Sequence, residues 1–475
     1  MDATGLGIAI RNKKISVKEA VSACAVKIEN EEQKINALIT DLLEDALIRA
    51  GEIEQEIYAG SCGHILAGIP FCVKDNISMK DVRFTCASRM LDRYKASYTA
   101  TALEQILDAG ALCMGKTNLD EFAMGSTGES SYYGATRNPF DLRRVAGGSS
   151  SGSAAAVAVG GCFFALGSDS GGSVRLPAAY CGLVGLLPTY GRVSRYGLVA
   201  HVSSMDQIGC ITRSVRDSAA VLSLLAGKDR HDATTVAAGS DFSPGEDICG
   251  YKIAVLDPES YDADESISKA VEEAAKLLEK QGADVKLYTA DFMKTAERAY
   301  RIIECAEASS NLARFDGIKY GGTGVLASNI ESRYALEEEN GFGKEVIARI
   351  RRGRYYLSEG FEKYFCPALA ERQRIMNEMR RLFSAYDVLL LPVAKDVAPF
   401  IGESKPCKED ENGPDIFTTP ANMAQLPAIT IPFGQKEGMP IGIQLIADRF
   451  CEKKLLTLAA VIEKMIKRNE NVHNI

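Results

Sequence analysis

Gly147-Gly148-Ser149-Ser150-Ser151-Gly152-Ser153 and, soon after it, Asp169-Ser170-Gly171-Gly172-Ser173-Val174-Arg175 are the most informative stretches of this 475-residue chain. Glycine has no Cβ, so backbone at Gly171 and Gly172 can approach a bound molecule closely. Successive N–H groups in such a turn can converge on one point and hold a developing oxyanion. Ser173 follows directly, where it would attack a carbonyl held there. Serine is a weak nucleophile without a base, and the chain has only four histidines. Upstream, Gly68-Ile69-Pro70-Phe71-Cys72-Val73-Lys74-Asp75-Asn76 sets one lysine in an apolar run. Burial disfavours the ammonium and brings such a lysine towards neutrality. The hydroxyls of the first cluster could relay a proton from Ser173 to Lys74. Without the lysine, tight turns between strands and helices would explain both clusters equally well.

Outward from these clusters, helical periodicity alternates with short apolar runs. Ser16 and Glu19 fit a capping box opening a helix, and a second helix spans about 40–58. Strands are read at 65–73, 111–114, 163–166, 182–187, 252–256, 284–288, 388–391, 428–431 and 441–446. Helices are read at 99–109, 153–160, 215–226, 264–281 and 453–467, with 294–313 and 345–381 mostly helical. This alternation predicts an α/β fold with a mixed, twisted central sheet and helices on both faces. The polar stretches 239–249 and 401–414 read as surface loops, too short to link independent domains. The expectation is one large domain over 1–475, with N-terminal helices in 1–60 and a mostly helical segment at about 290–385.

The composition is that of an ordinary globular protein, and the net charge of −8 makes this chain alone a poor candidate for gripping nucleic acid. The arginine-rich stretch within 343–381 reads as a solvated helix face or a substrate contact. The 13 cysteines form no Cys-x-x-Cys pair. They read as reduced core residues of a cytoplasmic protein, with no metal site expected. No apolar run reaches the length of a membrane span, and the N-terminus carries no secretory pattern.

Gly110-Ala111-Leu112-Cys113-Met114-Gly115-Lys116-Thr117 fits the P-loop pattern. A P-loop follows a strand and opens a helix; here a helix precedes, and Ala-Leu-Cys-Met suits a buried strand. A P-loop NTPase is the distant alternative, and nucleotide binding abolished by Lys116→Ala would be its signature.

The order of residues from Gly148 to Gly152 and from Asp169 to Pro177, with Lys74 upstream, closely resembles the amidase signature family over about residues 15–465. The resemblance implies a single amidase-signature domain and a Ser–Ser–Lys triad. Ser173 would be the acyl-accepting nucleophile, Ser149 the bridge, with a cis peptide bond, and Lys74 the base. The N–H groups of Ser170, Gly171, Gly172 and Ser173 would form the oxyanion hole.

Three further stretches are more specific: Lys116 to Ser126, Tyr133 to Pro139, and Ser204 to Gly209. They resemble the glutamine-hydrolysing A subunits of the Glu-tRNA(Gln)/Asp-tRNA(Asn) amidotransferases. That resemblance implies a glutamyl-enzyme and release of ammonia to the B and C partner subunits of a heterotrimer. Misacylated tRNA would be handled mainly through the B subunit. ATP and magnesium would be used by the partner, with no cofactor in this chain. Glutamine needs a carboxylate for its ammonium and a guanidinium for its carboxylate. By similarity these are Asp415 and Arg349, the latter with Arg351, Arg352 and Arg354 as neighbours, and Gly125 and Ser126 would also border the substrate. His201 stands where an apolar aromatic is usual and reads as a satisfied core or boundary histidine, not a catalyst. Ala146 and Ser151 replace a frequent proline and glycine. These departures leave a free-standing amidase of the same family as the runner-up.

Overall fold

The computed structural model describes residues 1–237, 239, 241–403 and 413–473, with side chains of the last helix up to Lys467. One sheet of eleven strands runs through the molecule. In chain order these are β1 (Leu38–Asp41), β2 (Pro70–Lys74), β3 (Leu112–Thr117), β4 (Phe164–Asp169), β5 (Val184–Leu187) and β6 (Gln207–Thr212), then β7 (Lys252–Leu256), β8 (Asp284–Tyr288), β9 (Val388–Pro392), β10 (Ala428–Lys436) and β11 (Met439–Ala447). Their spatial order is β1-β3-β2-β4-β6-β5-β10-β11-β9-β7-β8. β2 runs parallel to β3 and β4, and β7 parallel to β8 and β9; the remaining pairs are antiparallel.

Alternate residues of the central strands feed two cores, because side chains of a strand point to opposite faces. Val388 and Leu390 of β9 join one core, with Ile253 and Val255 of β7 and the helices Val17–Ile35 and Glu265–Lys280. Leu389 and Leu391 join the other, with Ala254 and Leu256 and the helices Met293–Leu312 and Cys366–Ala385. Helices therefore cover both faces. Strands buried on both faces tend to read as continuous apolar runs, which is why most of them are visible in the sequence. Among the described residues no helix is long and apolar enough to cross a membrane.

Several boundaries differ from the sequence reading. β1 occupies Leu38–Asp41, so the second helix begins at Leu43, not at 40. The strand read at 65–73 begins only at Pro70, because Gly68 turns the chain with φ +78°. β6 was not expected, and the helix Ile330–Gly341 falls within the segment read as mostly helical without having been read separately. Of the loop read at 401–414, residues 404–412 lie outside the described residues, as does residue 240 of the loop read at 239–249.

The P-loop alternative fails. Gly110, at φ +83°, ends the helix Thr101–Asp108, and the chain then enters β3, whose six residues are all buried. Lys116 lies in that strand, fully buried, 3.0 Å from the Asp75 carboxylate and donating to the Ile77 carbonyl at 2.6 Å. A lysine held in this way is not available to a phosphate.

Candidate active site

Lys74 is the last residue of β2, and Ser168 and Asp169 end the neighbouring parallel strand β4. The two strand ends therefore deliver their side chains to one place. The Lys74 side chain is fully buried. Its Nζ lies 2.7 Å from Ser149 Oγ, 2.9 Å from Ser168 Oγ and 3.2 Å from the Ser168 carbonyl. Burial lowers its pKa to about 7, although Asp120, Asp169 and Asp206 pull the other way. A neutral amine has two N–H groups and one lone pair. Ser168 offers acceptors for both N–H groups, which leaves the lone pair for the Ser149 proton. Asn76 Nδ2 also donates to Ser168 Oγ, at 2.9 Å. The Gly148–Ser149 peptide is cis, and Ser149 precedes the helix Ser151–Ala158.

The Ser170–Ser173 turn is built on a buried ion pair. Asp169 accepts from the amides of Gly172 (2.8 Å) and Val174 (3.0 Å) and from Arg175 Nε and Nη2 (3.1 and 3.0 Å). Burial pushes the Asp169 carboxyl up, but Arg175, Asn422 and these amides outweigh it and hold its pKa below the ordinary value. Arg175 is itself fully buried and donates to the Thr418 carbonyl at 2.9 Å. Arg175→Met is expected to destabilise the fold by about 3–5 kcal/mol, because it strands a buried carboxylate. Urea unfolding of the variant measures this; a midpoint equal to the parent's would mean that Asp169 does not depend on its partner.

Both glycines of the turn are needed for space. A Cβ on Gly171 would lie 2.5 Å from Cζ of Tyr300, and one on Gly172 would lie 2.4 Å from Thr418 Oγ1. Ser150 N donates to the Ser173 carbonyl at 3.1 Å, joining the two serine clusters. Ser170 Oγ donates to Asp206 Oδ1 at 2.6 Å. Among the described residues no hydrogen bond joins Ser149 to Ser173, and the Ser173 hydroxyl has no partner. One element of the sequence reading changes here. The Gly172 amide is already committed to Asp169, so the oxyanion donors that remain from that reading are Ser170, Gly171 and Ser173.

Ser173 and Gly171 open on a cavity of about 620 Å³ that Gly125, Ser126, Tyr300, Arg349 and Asp415 also line. Residues far apart in the chain thus share one chamber. The Asp415 carboxyl is pushed above the usual carboxylate range, by burial and then by the charge of Glu297. Arg349 Nη1 pairs with Glu304, and its Nε donates to Glu345 at 2.9 Å. Of its neighbours, Arg352 also reaches the cavity, whereas Arg354 pairs with Glu338 at 2.7 Å. The segment 290–385 supplies Tyr300, Glu304 and Arg349 to the cavity.

Glu304 and Tyr300 are absent from the sequence reading. They lie one helical turn apart on Met293–Leu312, and nothing in that helix's pattern sets them off from a core-facing stripe. His201 is buried, with Nε2 2.8 Å from Glu304 Oε1, but it lines the cavity and its Nδ1 has no partner among the described residues, so it is not the fully satisfied histidine of the sequence reading.

The chamber presents the Ser173 hydroxyl, and the buried Lys74 amine, its pKa lowered to about 7, contacts a second serine, Ser149. The comparisons with known proteins agree. The Amidase family model matches residues 19–456. The A subunit of the glutamyl-tRNA(Gln) amidotransferase of Persephonella marina is 44% identical over 463 residues, covering 96% of this chain and 95% of that protein. The crystal structure of the same-named protein from Thermotoga maritima superposes with a TM-score of 0.77 at 38% identity, covering 96% of this chain and 95% of that one. The peptide amidase of Stenotrophomonas maltophilia superposes at 0.85 with 27% identity, covering 98% and 97%.

Proposed function

The chain belongs to the amidase family, and from that premise we propose that it is the glutamine-hydrolysing A subunit of a tRNA-dependent amidotransferase. The observation that carries the reading is a single cavity lined by Ser173, Asp415 and Arg349: a nucleophile, an acid for an α-ammonium and a guanidinium for an α-carboxylate. Relatives at 42–44% identity along nearly the whole chain bear the amidotransferase name, which supports it over a free-standing amidase.

In this reading Lys74 takes the Ser149 proton as Ser149 takes that of Ser173. Ser173 Oγ then bonds to the side-chain carbonyl carbon of glutamine. The amides of Ser170, Gly171 and Ser173 stabilise the oxyanion. Such donors each contribute about 3–4 kcal/mol in serine hydrolases. The proton returns through Ser149 to the leaving nitrogen, the C–N bond breaks, and ammonia departs from a glutamyl ester. Water hydrolyses the ester by the same relay and glutamate leaves. Gly125 and Ser126 border the substrate. Ammonia passes to the B and C partner subunits, where ATP and magnesium drive amidation of misacylated tRNA. The P-loop-like stretch 110–117 offers no lysine to a phosphate, since Lys116 is tied to Asp75, and the assembly is cytoplasmic.

Ammonia release from glutamine, by this chain alone and with its B and C partners, tests the proposal. Release that the partners stimulate is the expected result. Turnover of other amides with none of glutamine, in a verified assembly, would place the chain among the free-standing amidases. Asp415→Asn is expected to raise KM for glutamine by about ten- to a hundredfold, the range of a lost charge-assisted hydrogen bond. A simple aliphatic amide should be turned over as before. Equal losses on both substrates would refute recognition of the amino group.

A further inference from the structure

Arg349 is not a free cation waiting for a carboxylate. One oxygen of Glu304 receives both Arg349 Nη1 and His201 Nε2, and Glu345 takes Arg349 Nε. Glu304 is buried to within 3% of its side-chain surface. Burial raises its pKa, but Arg349 and His201 together bring it down to about 2, so it is a carboxylate throughout the neutral range. His201 is fixed from behind: its backbone N–H donates to Asp206 Oδ2 at 2.8 Å, and its carbonyl accepts from Asn311 Nδ2 at 3.1 Å. The other oxygen of Asp206 accepts from Ser170 Oγ. An unbroken chain of contacts therefore runs from the nucleophile's turn to the arginine: Ser170, Asp206, His201, Glu304, Arg349.

We propose that Glu304, held by His201, is a specificity-determining positioning residue that aims Arg349 at the carboxylate of the substrate and fixes its distance from Ser173. The proposal rests on the reading of Arg349 given above. With Nε and Nη1 occupied by acids, only the remaining N–H edge of the guanidinium can serve a ligand. Two flanking carboxylates also offset the positive charge. A substrate carboxylate is then selected by its fit to that edge, since the local field attracts anions only weakly. His201 matters because a carboxylate gripped by one partner can swing, whereas one gripped by two cannot. A core histidine that merely filled space would need no such link.

The experiment compares Glu304→Gln, Glu304→Asp and His201→Phe with the parent in the assembled enzyme. The substrates are glutamine and a simple aliphatic amide. Glu304→Gln is expected to raise KM for glutamine by about ten- to a hundredfold, with kcat/KM for the aliphatic amide unchanged. His201→Phe should move KM in the same direction by less, and Glu304→Asp should recover part of the loss. Imidazole nitrogen NMR with the label confined to this chain supplies a readout independent of turnover, since only its four histidines then contribute. The His201 Nε2 signal should shift in Glu304→Gln. Equal losses on both substrates, or an unchanged KM for glutamine, would overturn the proposal. If the parent enzyme itself ignores glutamine, the functional reading fails separately. The same comparison is then made with two amides that differ only in a carboxylate, and an equal response to both overturns the role of Glu304.

Discussion

Ser173→Ala is expected to lower ammonia release from glutamine by on the order of 10⁴- to 10⁶-fold, the scale on which removal of a serine nucleophile acts in a serine hydrolase. The fold should be untouched. The Ser173 hydroxyl has no hydrogen-bond partner among the described residues, so its removal strands no buried group. The contact that holds the turn is made by the Ser173 carbonyl, which accepts from Ser150 N, and alanine keeps it. Asp169 and Arg175 continue to brace the loop from below. Asp415 and Arg349 remain in place, so the variant should bind glutamine as the parent does while failing to form the glutamyl ester. Calorimetric binding beside a single-turnover assay separates the two. Turnover within about tenfold of the parent, a barrier change of only about 1.4 kcal/mol, would remove Ser173 from the nucleophile's position.

The residues that carry chemistry were legible where local sequence fixes local geometry. The glycines around Ser173 announce a turn that tolerates no side chain, and Tyr300 and Thr418 show why. Lys74 stands out because a charge in an apolar strand needs a reason, and its surroundings supply one. Most strands buried on both faces were legible for the same reason, as apolar runs; β6 is equally buried but is broken by Gln207, Gly209 and Thr212, and it escaped the reading. Contacts made over long separations were not legible. Glu304 reaches Arg349 across 45 residues and His201 across 103, and no helical period encodes either meeting. Ser168 lies beyond the strand read at 163–166 and carried no signal of its own, although it accepts from the lysine's N–H groups. β1, only four residues long and incompletely buried, offers too short a pattern to be told from the helix after it. The Gly172 amide is diverted to Asp169, and a backbone group's partner cannot be read from its neighbours in the chain.

Lys74→Met is expected to reduce kcat/KM by about 10²–10⁴, the contribution of a positioned general base, and its pH behaviour tests the assignment more sharply than the loss itself. Burial gives the ammonium a pKa of about 7. Above that value the amine is neutral and takes the Ser149 proton. Below it the amine is charged and cannot, so activity should fall as pH drops through 7. For a simple aliphatic amide one group must lose a proton, and log kcat/KM should fall by one unit per pH unit. For glutamine, Asp415 must also be ionised to meet the ammonium, and its pKa is raised as well, so the acid limb should be steeper. Asp415→Asn should remove that extra steepness and leave the Lys74 limb standing. The lysine also leaves a mark on stability. Its pKa is lowered from 10.5 to about 7 in the fold, so between those values the unfolded chain binds more protons than the native one. Stability should therefore rise with pH across that window. Lys74→Met should abolish that rise while abolishing the neutral-pH limb of activity. A variant whose residual turnover keeps the parent's limb near pH 7 would show that another group supplies the base.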